Sequence, residues 1–266
     1  MKTGVSTASL FVRQYNETAL PLLDSLGIRT AEVFLATYSE YDENYARLLA
    51  ERKGGIDINS IHILNTQFEP QFFNPHPRTR ADAFAWLEKV LACARILGAP
   101  YYTFHGLARV KRETRSGDKD DFKKWIEGFH DICARCVAYG VTLCLENVEW
   151  ATYNRPEVFS RIACEVPALR GVLDIKQARV SEYGYERYID DMQDKLAYVH
   201  VSDLDERGKM CLPGRGIFDF DTLLKRLLDK GFDGSLIVEV YKDDYKDESE
   251  LKTACDFLDE KIYKYR

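Results

Sequence analysis

A single closed α/β barrel, (β/α)8, is the fold class this sequence predicts, and three observations predict it. Eight short apolar runs alternate with helix-like segments along the whole chain. The length of 266 residues suits a barrel that typically needs about 250. No Gly-x-Gly-x-x-Gly follows the first run, so the open dinucleotide-binding sheet lacks its phosphate-cradling turn. No linker, fixed-period repeat or low-complexity tract interrupts the pattern, and residues 1–266 read as one domain.

The predicted strands are Thr3–Ser6, Ala31–Leu35, Ser60–Leu64, Tyr101–His105, Thr142–Asn147, Gly171–Asp174, Tyr198–Ser202 and Ser235–Tyr241. They are short and largely apolar, as parallel strands covered by outer helices must be. Residues 79–97 carry Phe84, Leu87, Leu91, Ala94 and Leu97 at helical spacing, with Thr79 and Asp82 as a capping box. Residues 121–139 place Phe122, Trp125, Phe129, Ile132 and Cys136 on one face, stopped by Gly140. Residues 220–230 carry Leu223, Leu224, Leu227 and Leu228, with Gly231 past the end. Pro156 suits the first turn of another helix. Weaker periodicity marks helices over 17–26, 42–51, 185–194 and 249–263. Two long loops, Asn65–Arg78 and Gly106–Asp120, follow strands and overhang the C-terminal mouth, where barrel active sites are built.

Composition narrows the function classes. An apolar fraction of 45% supports a packed core, and the net charge of −6 leaves no basic footprint for nucleic acid. The basic stretch Arg109–Arg115 reads as a solvated loop. Residues 1–15 lack the apolar core of a signal peptide, and no run reaches the roughly 20 apolar residues that span a bilayer. The seven cysteines read as reduced thiols of a cytoplasmic protein, and Cys133-x-x-Cys136 falls inside a helical pattern without a second pair. Phe72 and Phe73, read as exposed loop aromatics, are candidates for a lid or a homo-oligomer interface.

Four polar residues end consecutive apolar runs five to eight: Glu146, Asp174, His200 and Glu239. Three carboxylates brought together repel unless a cation compensates them. An oxygen-rich set with one imidazole suits a single divalent ion, Mn²⁺, Mg²⁺, Co²⁺ or Zn²⁺. His62 and His105 end runs three and four on the other side of the same mouth and are candidate substrate contacts. Glu32 is a further candidate, read as the end of run two. Lys176 and Gln177 follow Asp174 closely enough to reach a ligand, and Arg207 or Arg215 could bind a hydroxyl or a phosphate. His76 and His130 receive no role.

Leu145-Glu146-Asn147, Leu173-Asp174-Ile175-Lys176-Gln177, His200-Val201-Ser202-Asp203, Leu212-Pro213-Gly214-Arg215-Gly216-Ile217-Phe218-Asp219-Phe220 and Val238-Glu239-Val240-Tyr241 occur in that order. In these segments the chain resembles the xylose isomerase-like TIM-barrel superfamily, which includes tagatose 3-epimerase-type enzymes, hydroxypyruvate isomerase, inosose-processing enzymes and endonuclease IV. The resemblance implies that Glu146, Asp174, His200 and Glu239 bind one metal. It also implies that Glu146 and Glu239 face a bound ketose from opposite sides, one removing and one returning a proton next to the carbonyl. Two departures are informative. The histidine common three residues after the strand-six aspartate is Gln177 here. The Asp-x-His of the three-zinc endonucleases is absent, Lys209-Met210-Cys211 standing in its place. A trinuclear cluster would therefore lack at least three ligands.

The expectation is a metal-dependent isomerase or epimerase acting on a small sugar or sugar derivative. Its catalytic pair is Glu146 and Glu239, and its substrate contacts are His62, His105, Gln177 and Arg207. Two alternatives stand beside it. One is a dehydratase-type lyase on the same barrel, acting on an inosose or keto acid. The other is a non-catalytic ligand-binding barrel that kept its metal, which Gln177 favours.

Overall fold

The computed structural model describes residues 1–110 and 119–265. Their strands are β1 (Lys2–Ser6), β2 (Thr30–Leu35), β3 (Asp57–Ile63), β4 (Tyr101–Phe104), β5 (Thr142–Glu146), β6 (Arg170–Asp174), β7 (Leu196–Val201), β8 (Asp203–Leu204), β9 (Met210–Cys211) and β10 (Ser235–Val238). Strands β1 to β7 and β10 form one closed parallel barrel, in which β10 pairs with both β7 and β1. Strands β8 and β9 form a small antiparallel hairpin above β7.

The helices are α1 (Asn16–Ser25), α2 (Glu43–Arg52), α3 (Pro77–Leu97), α4 (Lys119–Ala138), α5 (Val158–Glu165), α6 (Ile175–Val180), α7 (Tyr185–Met192), α8 (Phe220–Asp229) and α9 (Ser249–Lys264). Among the described residues, no helix is long and apolar enough to cross a membrane. All seven cysteines are free thiols. Of the basic stretch Arg109–Arg115, residues 111–115 lie outside the described residues, as do 111–118 of the loop that holds it.

Several local expectations are corrected. Helix α3 starts at Pro77 behind His76, not at a Thr79–Asp82 box, because proline's fixed φ and missing N–H suit the first helical position. Pro156 stands just outside α5, whose cap is Glu157 in a left-handed conformation with φ 77°. Phe72 is fully buried and Phe73 is half-buried against Phe129. Neither is therefore the free surface aromatic expected for a lid or an interface.

Strand alternation divides the core in two. Leu143, Leu145, Leu173, Val199, Val201, Leu236 and Val238 face outward into one large cluster under the helices. Cys144, Val172, Tyr198 and Ile237 face inward and make a separate apolar floor inside the barrel. One pleat higher the interior turns polar. Ser6, Glu32 and Ser60 are neighbours in register on β1, β2 and β3, so all three point to the barrel axis. Another pleat up lie His62, Glu146, Asp174 and His200, with Asp174 and His200 directly paired in register.

The loop after β3 is packed rather than open. Its Glu69 is fully buried, and its carboxylate accepts from Asn65 Nδ2, Tyr102 Oη and the backbone N–H groups of His105 and Gly106 at 2.8–3.0 Å. Gly106 is required there: its φ is +78°, and a Cβ would stand 2.4 Å from Thr152 Oγ1. One carboxylate thus fixes the backbone that carries His105 into the mouth. Glu69→Leu leaves four buried donors without that acceptor, and a loss of about 3 kcal/mol is expected. The check is urea unfolding, and an unchanged midpoint would show that this clamp is dispensable.

Candidate metal centre and catalytic site

The ring of residues at the mouth is built by the strand ends. Asp174 closes β6 and also caps α6, its Oδ1 accepting from Gln177 N at 2.8 Å. The Asp174-x-x-Gln177 spacing is itself a capping signal that marks this short, unpredicted helix. Asn147 locks the same end, accepting from Asp174 N at 2.7 Å and donating to Asp174 O at 2.9 Å. Glu239 follows β10, and its N–H donates to Val201 O of β7 at 3.0 Å.

One ligand atom from each of Glu146, Asp174, His200 and Glu239 lies within 4.8 Å of the others. His200 is the hub. Its Nδ1 stands 3.1 Å from Glu146 Oε1 and 3.2 Å from Glu239 Oε2, while Nε2 faces Glu32 at 3.2 Å. Glu32 is not at a strand end. It is the third residue of β2 and lies fully buried one layer beneath the ring. Three hydroxyls from three strands donate to it: Ser6 at 3.0 Å, Ser60 at 2.7 Å and Thr103 at 2.6 Å.

His62 and His105 complete the opposite wall. Their Nε2 atoms are 3.2 Å apart, and His105 Nε2 is 2.7 Å from Glu146 Oε2. Trp150 covers His105 edge-on. Gln177 is half-buried, its Oε1 accepting from Glu149 N at 3.5 Å. Arg207 is exposed in the turn between β8 and β9 and does not join the buried cluster. Arg215 is ion-paired with Glu250 at the start of α9. Asp203 has a structural role that no sequence pattern marks. Its buried carboxylate accepts from the N–H groups of Leu204, Gly214, Gly216 and Phe218 at 2.7–3.1 Å and so shapes the loop that follows β9.

The charges explain why these groups tolerate one another. Burial alone would raise the carboxyls of Glu32, Glu146 and Glu239, but the facing imidazoles, His200 foremost, hold all three low, Glu239 at about 2. Burial opposes protonation of the imidazoles, yet the facing carboxylates of Glu239 and Glu32 bring His62 to about 10. Glu239, Glu32 and Glu146 likewise hold His200 well above its ordinary value. Asp174 is pushed up to about 6 by burial, with Lys176 opposing the rise and Glu146 and Glu239 adding to it. A divalent cation fits this donor set. Three carboxylates and one imidazole converge, and they are compensated here by protons that a cation would replace. Glu32 would then accept from His200 Nε2–H and keep Nδ1 turned to the ion.

Two outcomes follow. Glu32→Gln keeps the volume but weakens the acceptor behind His200, so Mn²⁺ affinity by calorimetry is expected to fall about 10- to 100-fold; equal affinity would remove Glu32 from this role. His62 has a folded-state pKa raised above its unfolded value of about 6.5. Its stabilising contribution is full below that value and is lost as pH rises through about 10. Thermal melts of metal-free protein should therefore decline over that window, and His62→Gln should flatten the decline.

The comparisons with known proteins agree with this architecture. The chain is 25% identical to an inosose dehydratase of Erwinia tasmaniensis over 238 residues, 78% of each chain. Its fold matches D-psicose 3-epimerase with D-tagatose from Clostridium cellulolyticum H10 at a TM-score of 0.80 and 18% identity, covering 98% of this chain and 99% of that one. It matches the IolI protein with a bound zinc atom at a TM-score of 0.78 and 19% identity, over 100% and 99% of the two chains. The family model described as xylose isomerase-like TIM barrel matches residues 20–261, and the chain belongs to that family.

Proposed function

We propose that the protein is a metal-dependent isomerase or epimerase of a sugar or sugar derivative. In this reading Glu146 and Glu239 transfer protons at a carbon next to a carbonyl. The observation that carries it is the placement of these two carboxylates. They arise from β5 and just beyond β10, strands separated around the barrel by β6 and β7, yet both reach His200 Nδ1. A ligand seated over His200 would meet one glutamate on each side.

Glu146, Asp174, His200 and Glu239 are the residues that would hold the ion. When bound, it supplies Lewis-acid polarisation of the carbonyl and its neighbouring hydroxyl oxygen. The chain's own groups do the remaining work. Glu146 or Glu239 takes the proton from carbon on one face, and the other glutamate returns a proton on the opposite face. His105 bonds the Glu146 oxygen turned away from His200, which fixes that carboxylate's orientation and tempers its basicity. Glu239, 14% exposed against 2% for Glu146, is the more accessible partner. His62, His105 and Gln177 offer hydrogen bonds to ligand hydroxyls around the rim. The names of the related epimerases support a sugar as the small-molecule substrate.

The 25% identity to an inosose dehydratase favours one second reading. The same first proton abstraction would then be followed by loss of a hydroxyl rather than reprotonation. One experiment separates the two. Mn²⁺-loaded protein is incubated in D₂O with a panel of ketoses and inososes, followed by NMR and mass spectrometry. Deuterium next to the carbonyl with no loss of mass as water supports the epimerase or isomerase. Loss of water supports the lyase, and no exchange across the panel overturns both. Glu146→Gln and Glu239→Gln, assayed at matched metal content, are each expected to slow exchange about 10²- to 10⁴-fold.

A further inference from the structure

Lys176 stands at the mouth with hydrogen-bonding capacity to spare. Its side chain is only 16% exposed. The ammonium donates to Tyr241 Oη at 3.2 Å and lies 4.7 Å from the centre of that ring. Its other close charge, Asp174 Oδ2, is 3.9 Å away, an ion contact too long for a hydrogen bond. An ammonium has three N–H donors. Among the described residues, Lys176 spends one of them in a hydrogen bond. Asp174, Glu239 and Tyr241 hold the ammonium in its charged form against burial, and the hydrogen bond to Tyr241 leaves N–H donors available to something else.

Its position says what that something is. Lys176 opens α6 immediately above Asp174, and its side chain crosses toward the end of β10 to reach Tyr241, two residues past Glu239. The ammonium therefore stands beside Asp174 and on the Glu239 side of the ring, opposite the wall made by His62 and His105. A ligand oxygen at the mouth would find a charged donor here and imidazoles across from it.

We propose that Lys176, steadied by Tyr241, is a substrate-binding and catalytic residue that donates a hydrogen bond to the substrate oxygen on which negative charge develops. This rests on the proton-transfer reading above. When a glutamate removes the proton from carbon, the electron pair moves onto the carbonyl oxygen, and no proton leaves Lys176. The ammonium strengthens its hydrogen bond as that charge grows, so it favours the transition state over the ground state. Tyr241 acts through Lys176 as a positioning residue. A lysine that served only as counter-ion to Asp174 would not distinguish these states.

The test compares wild type, Lys176→Met, Lys176→Arg and Tyr241→Phe, all loaded with Mn²⁺ and checked for metal content and melting temperature. Lys176→Met is expected to lower kcat about 10²- to 10³-fold with KM changed by less than about threefold. Lys176→Arg restores part of the loss, and Tyr241→Phe shows a smaller fall of about tenfold. Binding is measured independently by calorimetry with an aldonohydroxamate, which carries the charge pattern of an enediolate, and with the matching polyol. The hydroxamate should bind Lys176→Met about 100-fold more weakly, and the polyol within about threefold. Equal losses for the two ligands, or a change confined to metal content and melting temperature, would overturn the proposal. If wild type shows no exchange with any substrate, the proton-transfer reading fails, and the contrast between hydroxamate and polyol still decides whether Lys176 engages a charged ligand oxygen.

Discussion

Compensation of four buried carboxylates is the constraint on which the upper half of this barrel depends. Glu32, Glu146 and Asp174 are almost fully buried, and Glu239 is 14% exposed. Two unit charges at 4 Å interact by about 4 kcal/mol at an effective dielectric of 20. Four such groups cannot share one small volume without cations among them. The carboxylates hold His62 and His200 toward their charged forms, and Lys176 lies beside Asp174, so positive groups face the carboxylates within the chain itself. A divalent ion would take over from the protons. Metal binding, protonation and local stability at the mouth are therefore linked properties of one cluster.

The strand pleat makes this arrangement compatible with a stable fold. The barrel interior is sorted by height, with Tyr198, Val172 and Ile237 as a dry floor, hydroxyls around Glu32 above it, and the carboxylate–imidazole ring on top. Each layer satisfies the next. Ser6, Ser60 and Thr103 fill acceptor sites of Glu32 from the sides, leaving its remaining capacity for His200 and His62 above. The hydroxyl layer thus converts a costly buried charge into a fixed acceptor under the hub histidine. Glu69 does the same at the edge, spending its carboxylate on the backbone that delivers His105.

The barrel was legible because its signals are periodic. Strand alternation, helical stripes and the glycines past helix ends all report on local geometry, and every predicted strand has its counterpart within a few residues. The quartet of Glu146, Asp174, His200 and Glu239 was legible for a related reason. Strand ends are positions in the sequence, and barrel closure brings consecutive ends together. What stayed hidden depends on three-dimensional neighbours. Glu32 reads from the sequence as a candidate at the end of its strand, and only register shows it one layer lower, with Ser6 and Ser60 beside it. Glu69 looks like a loop acid until Tyr102 and the turn at Gly106 close over it. Phe72 looks exposed because loop aromatics carry no periodicity to show which way they face. Arg207 sits in the exposed turn of a hairpin that no periodic pattern announces.

Helix α6 shows how a departure at one position can be met by the residue beside it. Successive residues of a helix are rotated by about 100° around its axis, since 3.6 of them make a turn. Gln177 points toward the β5 side, where its Oε1 meets Glu149 N, whereas Lys176 points toward β10 and meets Tyr241. The resemblance places a histidine where Gln177 stands, a group able to carry charge on the β5 side. In this chain a neutral amide occupies that side, and a cationic donor stands one residue earlier, on the Glu239 side. Glu146 already has His105 Nε2 at 2.7 Å as a partner on that side. Glu239 likewise faces His200 and His62, and the lysine crossing to β10 adds a positive group on the side of this more exposed glutamate. The change at position 177 thus leaves the ring with donors on both sides, supplied by β4 on one and by the first turn of α6 on the other.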